Sequence, residues 1–323
     1  MPDAPTIQTI VGDVVGSTGH RYAVTDSAGH PMDTVKIIAH PAGGYLAIYH
    51  TGDEVHLATG TDLLTWTFRR TLDPQATQPT IQAMPTGGFL TAVEFNDQAG
   101  SGGRVRLRHY PHLGALLDGD HDHTRTVDRT LSACNEGTPN ITAVSLSSDI
   151  DHSVIDLGFH YHRNCDVDRQ ARGTLTDFTH WRTGTDRSAD HALISAAATQ
   201  GQVVRGNIGD RDTLEFDGVR YTVHEVQFRK NDFGSWRVFL RHSQTGAAAY
   251  LPITTHRGST AFANPTATHL AGPSGSPALV VTMFLPTEGA APGEGGQLIY
   301  YREYENRSGS GSLTGRWDAA AGS

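Results

Sequence analysis

Lysine is nearly absent from this chain: Lys36 and Lys230 are the only two in 323 residues. With arginine included, 25 basic residues stand against 34 acidic ones, a formal net charge of −9. A surface that holds nucleic-acid phosphates needs a basic excess, so no nucleic-acid partner is expected. No run of about 18 consecutive apolar residues occurs, so no membrane-spanning helix and no membrane partner are expected either. The N-terminus, Met1-Pro2-Asp3-Ala4-Pro5, has neither a basic region nor an apolar signal core. An extracellular location is favoured if a signal peptide was removed, and a cytoplasmic one otherwise. Cysteine is equally scarce. Cys134 and Cys165 are too few for a disulfide framework and lack the CxxC pairing of a zinc site, which leaves one disulfide between them as the most they allow. No stretch longer than two turns shows a convincing helical period.

What the chain does have is 36 Gly and 15 Pro in a sequence that is 37% hydrophobic and 18% charged, a turn-rich globular composition. A degenerate internal repeat organises it. An x-Pro-[Thr/Asn] signature precedes an alternating stretch at Gln78-Pro79-Thr80, Thr138-Pro139-Asn140 and Asn264-Pro265-Thr266. These prolines lie one and two units of about 60 residues apart, so a further start is expected near Val203-Val204-Arg205-Gly206-Asn207. Gly43-Gly44-Tyr45-Leu46 and Gly87-Gly88-Phe89-Leu90 share a turn-plus-strand signature and add a first unit beginning near Asp33. A Thr-Asp-[Leu/Phe]-x-x-Trp signature recurs at residues 61–66 and 176–181, with a relative at Asp232-Phe233-Gly234-Ser235-Trp236. Its Asp can cap a turn while its Trp packs between sheets, which makes it structural punctuation.

Five units result, with starts near residues 33, 78, 136, 205 and 264. Strand-like runs fill them, among them Val35–Ala39, Tyr45–Tyr49, Phe89–Phe95, Ile141–Leu146, Val154–Tyr161, Arg220–Arg229, Leu279–Phe284 and Leu298–Glu303. Three or four strands per unit, five units and no helical period predict an all-β fold, a five-bladed β-propeller forming one domain over residues 1–306. An open ring would leave a strand edge unpaired, so the N-terminal run His20–Val24 is expected to close it as the outer strand of blade five, beside Leu298–Tyr301. The tail from 307 to 323 reads as a flexible end.

In such a ring the blade starts converge on one mouth of the central channel. The residues there are His30 and Asp33 in blade one, Gln78 in blade two, and Glu136 and Asn140 in blade three. Blade four contributes Arg205, Asn207, Asp210, Arg211 and Asp212, and blade five Asn264. His224 and Glu225 follow on a strand that points partly into the channel. Carboxylates, amides and guanidinium groups in one ring suit a neutral, hydroxyl-rich ligand, so a carbohydrate partner is expected. Oligomeric state has no signature in the sequence.

The five-unit layout, the Asp-[Leu/Phe]-x-x-Trp punctuation, Asp33 at the first blade start and Glu136-Gly137-Thr138-Pro139 at the third resemble the five-bladed glycoside hydrolases of the family-43-like superfamily, which act on arabinans, xylosides and fructans. The resemblance implies a catalytic Asp in blade one, a second Asp in blade two and a Glu general acid in blade three. Asp33 and Glu136 match the first and last, while Gln78 stands where the middle Asp would be. Asp210 or Asp212 can supply the missing negative charge and raise the Glu136 pKa. Glu136 would then protonate the leaving oxygen and Asp33 activate water. A non-catalytic carbohydrate-binding propeller, and a polysaccharide lyase that uses His and Arg, stay open beside the hydrolase.

No cofactor is required by this chemistry, although a structural calcium ion in the central channel fits the architecture. Two other clusters bear on metals. Asp118-Gly-Asp-His-Asp-His123 opens like a calcium loop but has His123 in place of the Gly and Arg129 in place of the closing Glu. His160 and His162 share a strand face, with Cys165 in the following turn, but no fourth ligand is visible.

Overall fold

Short glycine-rich connections between apolar runs favour antiparallel hairpins, and in the computed structural model, which describes residues 6–96 and 102–305, these build five four-stranded sheets. The segment expected as a tail from residue 307 lies outside the described residues. The chain enters through a short helix, α1 (Ile7–Gly12), and a three-residue strand, β1 (Gly19–Arg21). Blade one is β2 (Asp33–Ala39), β3 (Tyr45–Thr51), β4 (Glu54–Gly60) and β5 (Thr67–Asp73). Blade two is β6 (Ala76–Ala83), β7 (Phe89–Asn96), β8 (Gly103–Tyr110) and β9 (His123–Thr126), with a helical turn, α2 (Leu113–Asp118), before β9. Blade three comprises β10 (Glu136–Leu146), β11 (Ser153–Arg163), β12 (Val167–Thr176) and β13 (His180–Thr185). After helix α3 (Arg187–Thr199), blade four runs through β14 (Ile208–Phe216), β15 (Val219–Gln227), β16 (Trp236–His242) and β17 (Ala248–Tyr250). Blade five is β18 (Ala263–Ala271), β19 (Pro277–Leu285) and β20 (Gly296–Glu303). β1 is its fourth strand, with Gly19, His20 and Arg21 opposite Tyr301, Tyr300 and Ile299.

The five first strands, β2, β6, β10, β14 and β18, pack against one another in a closed cycle around the axis. Apolar side chains fill the gaps between blades. Ile38, Ile48 and Leu57 meet Ile81, Phe89 and Tyr110 between blades one and two. Leu90, Leu107 and Val105 meet Ile155, Leu157 and Phe159 between two and three. Residues Ile7, Ile10 and Val11 of α1 help to fill the gap between four and five. Strand β8 shows the period-two logic: Val105 and Leu107 are buried while Arg104, Arg106 and Arg108 alternate with them, half-buried. The punctuation also performs as expected: Asp62 Oδ1 accepts from the N–H groups of Leu64 and Thr65 at 3.0 and 2.7 Å, and Trp66 is buried.

α3 has 13 residues, more than the two helical turns that the periodicity allowed. Its sequence is rich in alanine, and only Leu193 among its buried positions is a large apolar residue, so the amphipathic pattern is faint. Asp186 caps it by accepting from Ala189 N at 3.1 Å, and Leu193, Ala196 and Ala197 pack on Ile208, Val226 and Phe239 of blade four.

Candidate functional site

Each of the five first strands has a bulge near its start, where register slips between Asp33 and Lys36, Thr77 and Thr80, Gly137 and Asn140, Asp210 and Asp212, and Ala263 and Thr266. A bulge re-aims side chains. At the equivalent position in four blades a non-glycine residue is held left-handed: Thr34, Gln78, Thr138 and Asn264, with φ of 49°, 52°, 51° and 49°. That conformation is uncommon for such residues and concentrates at functional sites. The residues opposite the strand starts, on the second strand of each blade, are His50, Glu94, His160, Glu225 and Phe284. The fivefold repeat therefore delivers two rings of side chains to one mouth.

Between these rings lies a pocket of about 400 Å³. Asp33, Gln78, Asn207, Glu225 and Asn264, all expected at the site, line it, and so do Glu94, Asn135, Thr138, His160 and Asp168. Phe233, Trp236 and Phe284 form its apolar side. Four carboxylates thus converge, and among the described residues that line the pocket none is Lys or Arg. Two hydrogen-bonded groups hold them. In the first, the Asn264 side-chain amide donates to Asp33 Oδ1 at 3.2 Å and its backbone N–H to Glu225 Oε2 at 2.7 Å, while Thr34 Oγ1 donates to Gln78 Oε1 at 3.0 Å. In the second, Glu94 accepts from the Asn135 amide at 3.2 Å and from Thr138 N at 3.0 Å. His160 Nε2 lies 3.1 Å from Thr138 Oγ1 and 3.9 Å from Asp168 Oδ1, and Asn207 Oδ1 accepts from Asp168 N at 3.0 Å.

Two glycines make room for the carboxylates. A Cβ at Gly137 would fall 2.0 Å from Glu94 Oε2, and one at Gly209 would fall 2.5 Å from Glu225 Oε1. A side chain at either blade start would displace the glutamate beside it. Cys134 and Cys165 are bonded, with Cα atoms 5.6 Å apart, and pin the segment that carries Asn135 to the turn between β11 and β12.

Several expected residues lie elsewhere. Glu136 is buried, and its Oε1 accepts from the backbone N–H groups of Thr130, Leu131 and Ser132, at 2.7 Å from Thr130 and 2.9 Å from Ser132. It anchors the loop that leads into blade three and does not line the pocket. His30 stacks on His56, with centroids 4.8 Å apart, and its Nδ1 lies 2.8 Å from Asp26 Oδ2. Asn140 donates to Thr213 Oγ1 at 2.9 Å along the channel wall. Arg205 is exposed three residues before β14 begins. His224 lies on the opposite face of β15 from Glu225 and lines a polar cavity of about 370 Å³ between blades three and four. Burial lowers its pKa to about 4, its Nδ1 lies 3.2 Å from Gly209 O, and its Nε2 has no hydrogen-bond partner. The side chains of Asp210 and Arg211 lie outside the described residues.

Asp212 does not reach the pocket either. Its carboxylate pairs with Lys36 Nζ inside the channel, where Lys36 also donates to Ala267 O at 3.2 Å. Asp212 accepts in addition from Ala267 N at 2.8 Å and Thr213 N at 2.9 Å. Burial pushes its carboxyl up and the Lys36 ammonium opposes that shift. This pair does not fit a channel calcium ion: its one carboxylate is already matched by an ammonium, whereas calcium takes about six to eight oxygens.

No protein-family model matches the chain, and no curated protein sequence does. Solved structures do. An exo-1,5-α-L-arabinanase from a bovine ruminal metagenomic library is 12% identical, with a TM-score of 0.53 over 84% of this chain and 92% of its own. A thermostable family-43 glycoside hydrolase is 8% identical, with a TM-score of 0.54 over 88% of this chain and 94% of its own. The α-L-arabinanase of Cellvibrio cellulosa, solved in complex with arabinohexaose, is 11% identical, with a TM-score of 0.53 over 84% and 91%. The chain is thus a five-bladed β-propeller similar to the arabinanases and to a family-43 glycoside hydrolase, a likeness of fold.

Proposed function

We propose that the protein is a glycoside hydrolase acting on an uncharged glycan in the mouth pocket, with Asp33 and Glu225 as its acid–base pair. The observation that carries this reading is the convergence of Asp33, Glu94, Asp168 and Glu225 in a pocket whose described lining has no Lys or Arg and has Phe233 and Trp236 on one side. A glycan bearing carboxylates or phosphates would meet unscreened repulsion there, whereas a neutral sugar uses the amides and carboxylates for its hydroxyls and the aromatic side for its apolar ring face. Asp33 is the more accessible of the pair, with 29% of its side chain exposed, and suits the group that activates water. Glu225 is 2% exposed and suits the group that protonates the leaving oxygen. Asn264 contacts both and sets their relative placement.

Gln78, at the blade start where the resemblance calls for an Asp, favours a second reading, a propeller that binds carbohydrate without cleaving it. The deciding experiment incubates the protein with arabinan, arabinoxylan and fructan and follows reducing ends, with binding measured in parallel by affinity electrophoresis. Hydrolysis is expected, with Asp33→Asn and Glu225→Gln each lowering turnover by about 10²-fold or more while binding persists. Glu225→Gln should lose far less on an aryl glycoside, whose leaving group needs no proton. Binding without turnover selects the second reading, and unsaturated products select a lyase.

A further inference from the structure

The outer edge of blade two carries a separate cluster built from the segment that opens like a calcium loop. His109 in β8 and His123 at the start of β9 are direct cross-strand partners, so their side chains leave the sheet on one face. Asp122 N donates to His109 O at 3.1 Å, which fixes Asp122 at the end of the ladder. Its Oδ1 lies 2.7 Å from His109 Nδ1 and 3.0 Å from His123 Nδ1. One ligand atom from each of the three residues falls within 4.8 Å of the others. The other ring nitrogen of His123 points away from this centre, with Nε2 3.3 Å from Oδ1 of Asp151 on the turn between β10 and β11. Phe178 closes one side, its ring edge-on to His123 with centroids 5.7 Å apart.

Two imidazole nitrogens and one carboxylate oxygen form a donor set that suits a borderline-soft cation such as zinc, with solvent completing the shell, and suits calcium or magnesium poorly. Metal-bound imidazoles usually donate their second N–H to a carboxylate, which sets ring orientation, and Asp151 occupies that position for His123. We propose that His109, Asp122 and His123 form a zinc-binding site, with Asp151 as the outer carboxylate that orients His123. Because Asp151 belongs to the β10–β11 turn of blade three, the bound ion would tie the outer edge of blade two to that turn. The site is independent of the mouth pocket.

The test is a calorimetric titration of untagged, chelator-treated protein with zinc chloride at pH 7.5, repeated with calcium chloride. One equivalent of zinc should bind, calcium should neither bind there nor displace it, and zinc should raise the Tm of the wild type by mass action. His109→Ala and His123→Ala should each weaken zinc binding by at least about tenfold and abolish the Tm rise, with circular dichroism unchanged. Asp151→Asn, on a 65% exposed side chain, should weaken binding by about tenfold without changing stoichiometry, and it keeps the test decisive should a histidine variant not fold. The proposal is overturned if no stoichiometric zinc binds. It is also overturned if binding is unchanged in these variants, which would place the ion among others of the 18 histidines.

Discussion

Replacing Lys36 by Met is expected to destabilise the propeller by about 3 kcal/mol. Lys36 is 7% exposed and Asp212 2%, so the variant leaves a carboxylate buried on the channel axis with its partner cation gone. Stranding one member of a buried ion pair typically costs about 3–5 kcal/mol. Here the lower end applies, because the N–H groups of Ala267 and Thr213 still donate to Asp212 at 2.8 and 2.9 Å. Adding Asp212→Asn removes the stranded charge and keeps an oxygen for Ala267 N, so the double variant should recover more than half of the loss. Urea unfolding at pH 7, followed by tryptophan fluorescence, reads this directly. With a slope of about 3 kcal/mol/M, Lys36→Met should move the midpoint by about 1 M. A shift below about 0.3 M, or a double variant no more stable than Lys36→Met, would falsify the view that this pair bolts blades one, four and five together.

Two further outcomes follow from the placement of Glu136 and His224. Glu136→Ala should release the three N–H groups of residues 130–132 and lower stability by about 3 kcal/mol, while kcat/KM of the folded variant on a cleaved glycan stays within about twofold of wild type. A loss of about 10²-fold or more in a folded variant would return Glu136 to the catalytic machinery. His224, buried and lowered from 6.5 to about 4, is neutral in the folded state at pH 5, whereas in the unfolded chain it takes up a proton below about pH 6.5. Unfolding therefore binds protons between these values, and stability contributed by His224 falls by about 2 kcal/mol from pH 7 to pH 5. Urea midpoints at the two pH values should lie closer together in His224→Gln than in wild type, and an equal or larger gap in the variant would remove His224 as the source.

Much of the architecture was legible along the chain because it is local. Apolar alternation, glycine turns and the x-Pro-[Thr/Asn] starts are each set within a few residues, and their repetition identifies five blades without any tertiary information. Asp33, Gln78, Asn207 and Asn264 were legible as pocket residues for the same reason, since a repeat makes blade starts equivalent. Glu225 was found on a second strand only because it sits beside His224 in a conspicuous pair. Glu94 and Asp168 left no such mark, and His160 stood out only beside His162 and Cys165, not as a pocket residue. Their place depends on cross-strand register, and register after a bulge is decided by pairing with another strand. The same rule separates Glu136 from the pocket, because successive side chains on a strand face opposite sides and Gly137 is the neighbour that takes the pocket side. Lys36 and Asp212 are 176 residues apart in sequence, and nothing local couples them. Only closure of the ring brings two buried charges of opposite sign to one axis, where each makes the other's burial tolerable.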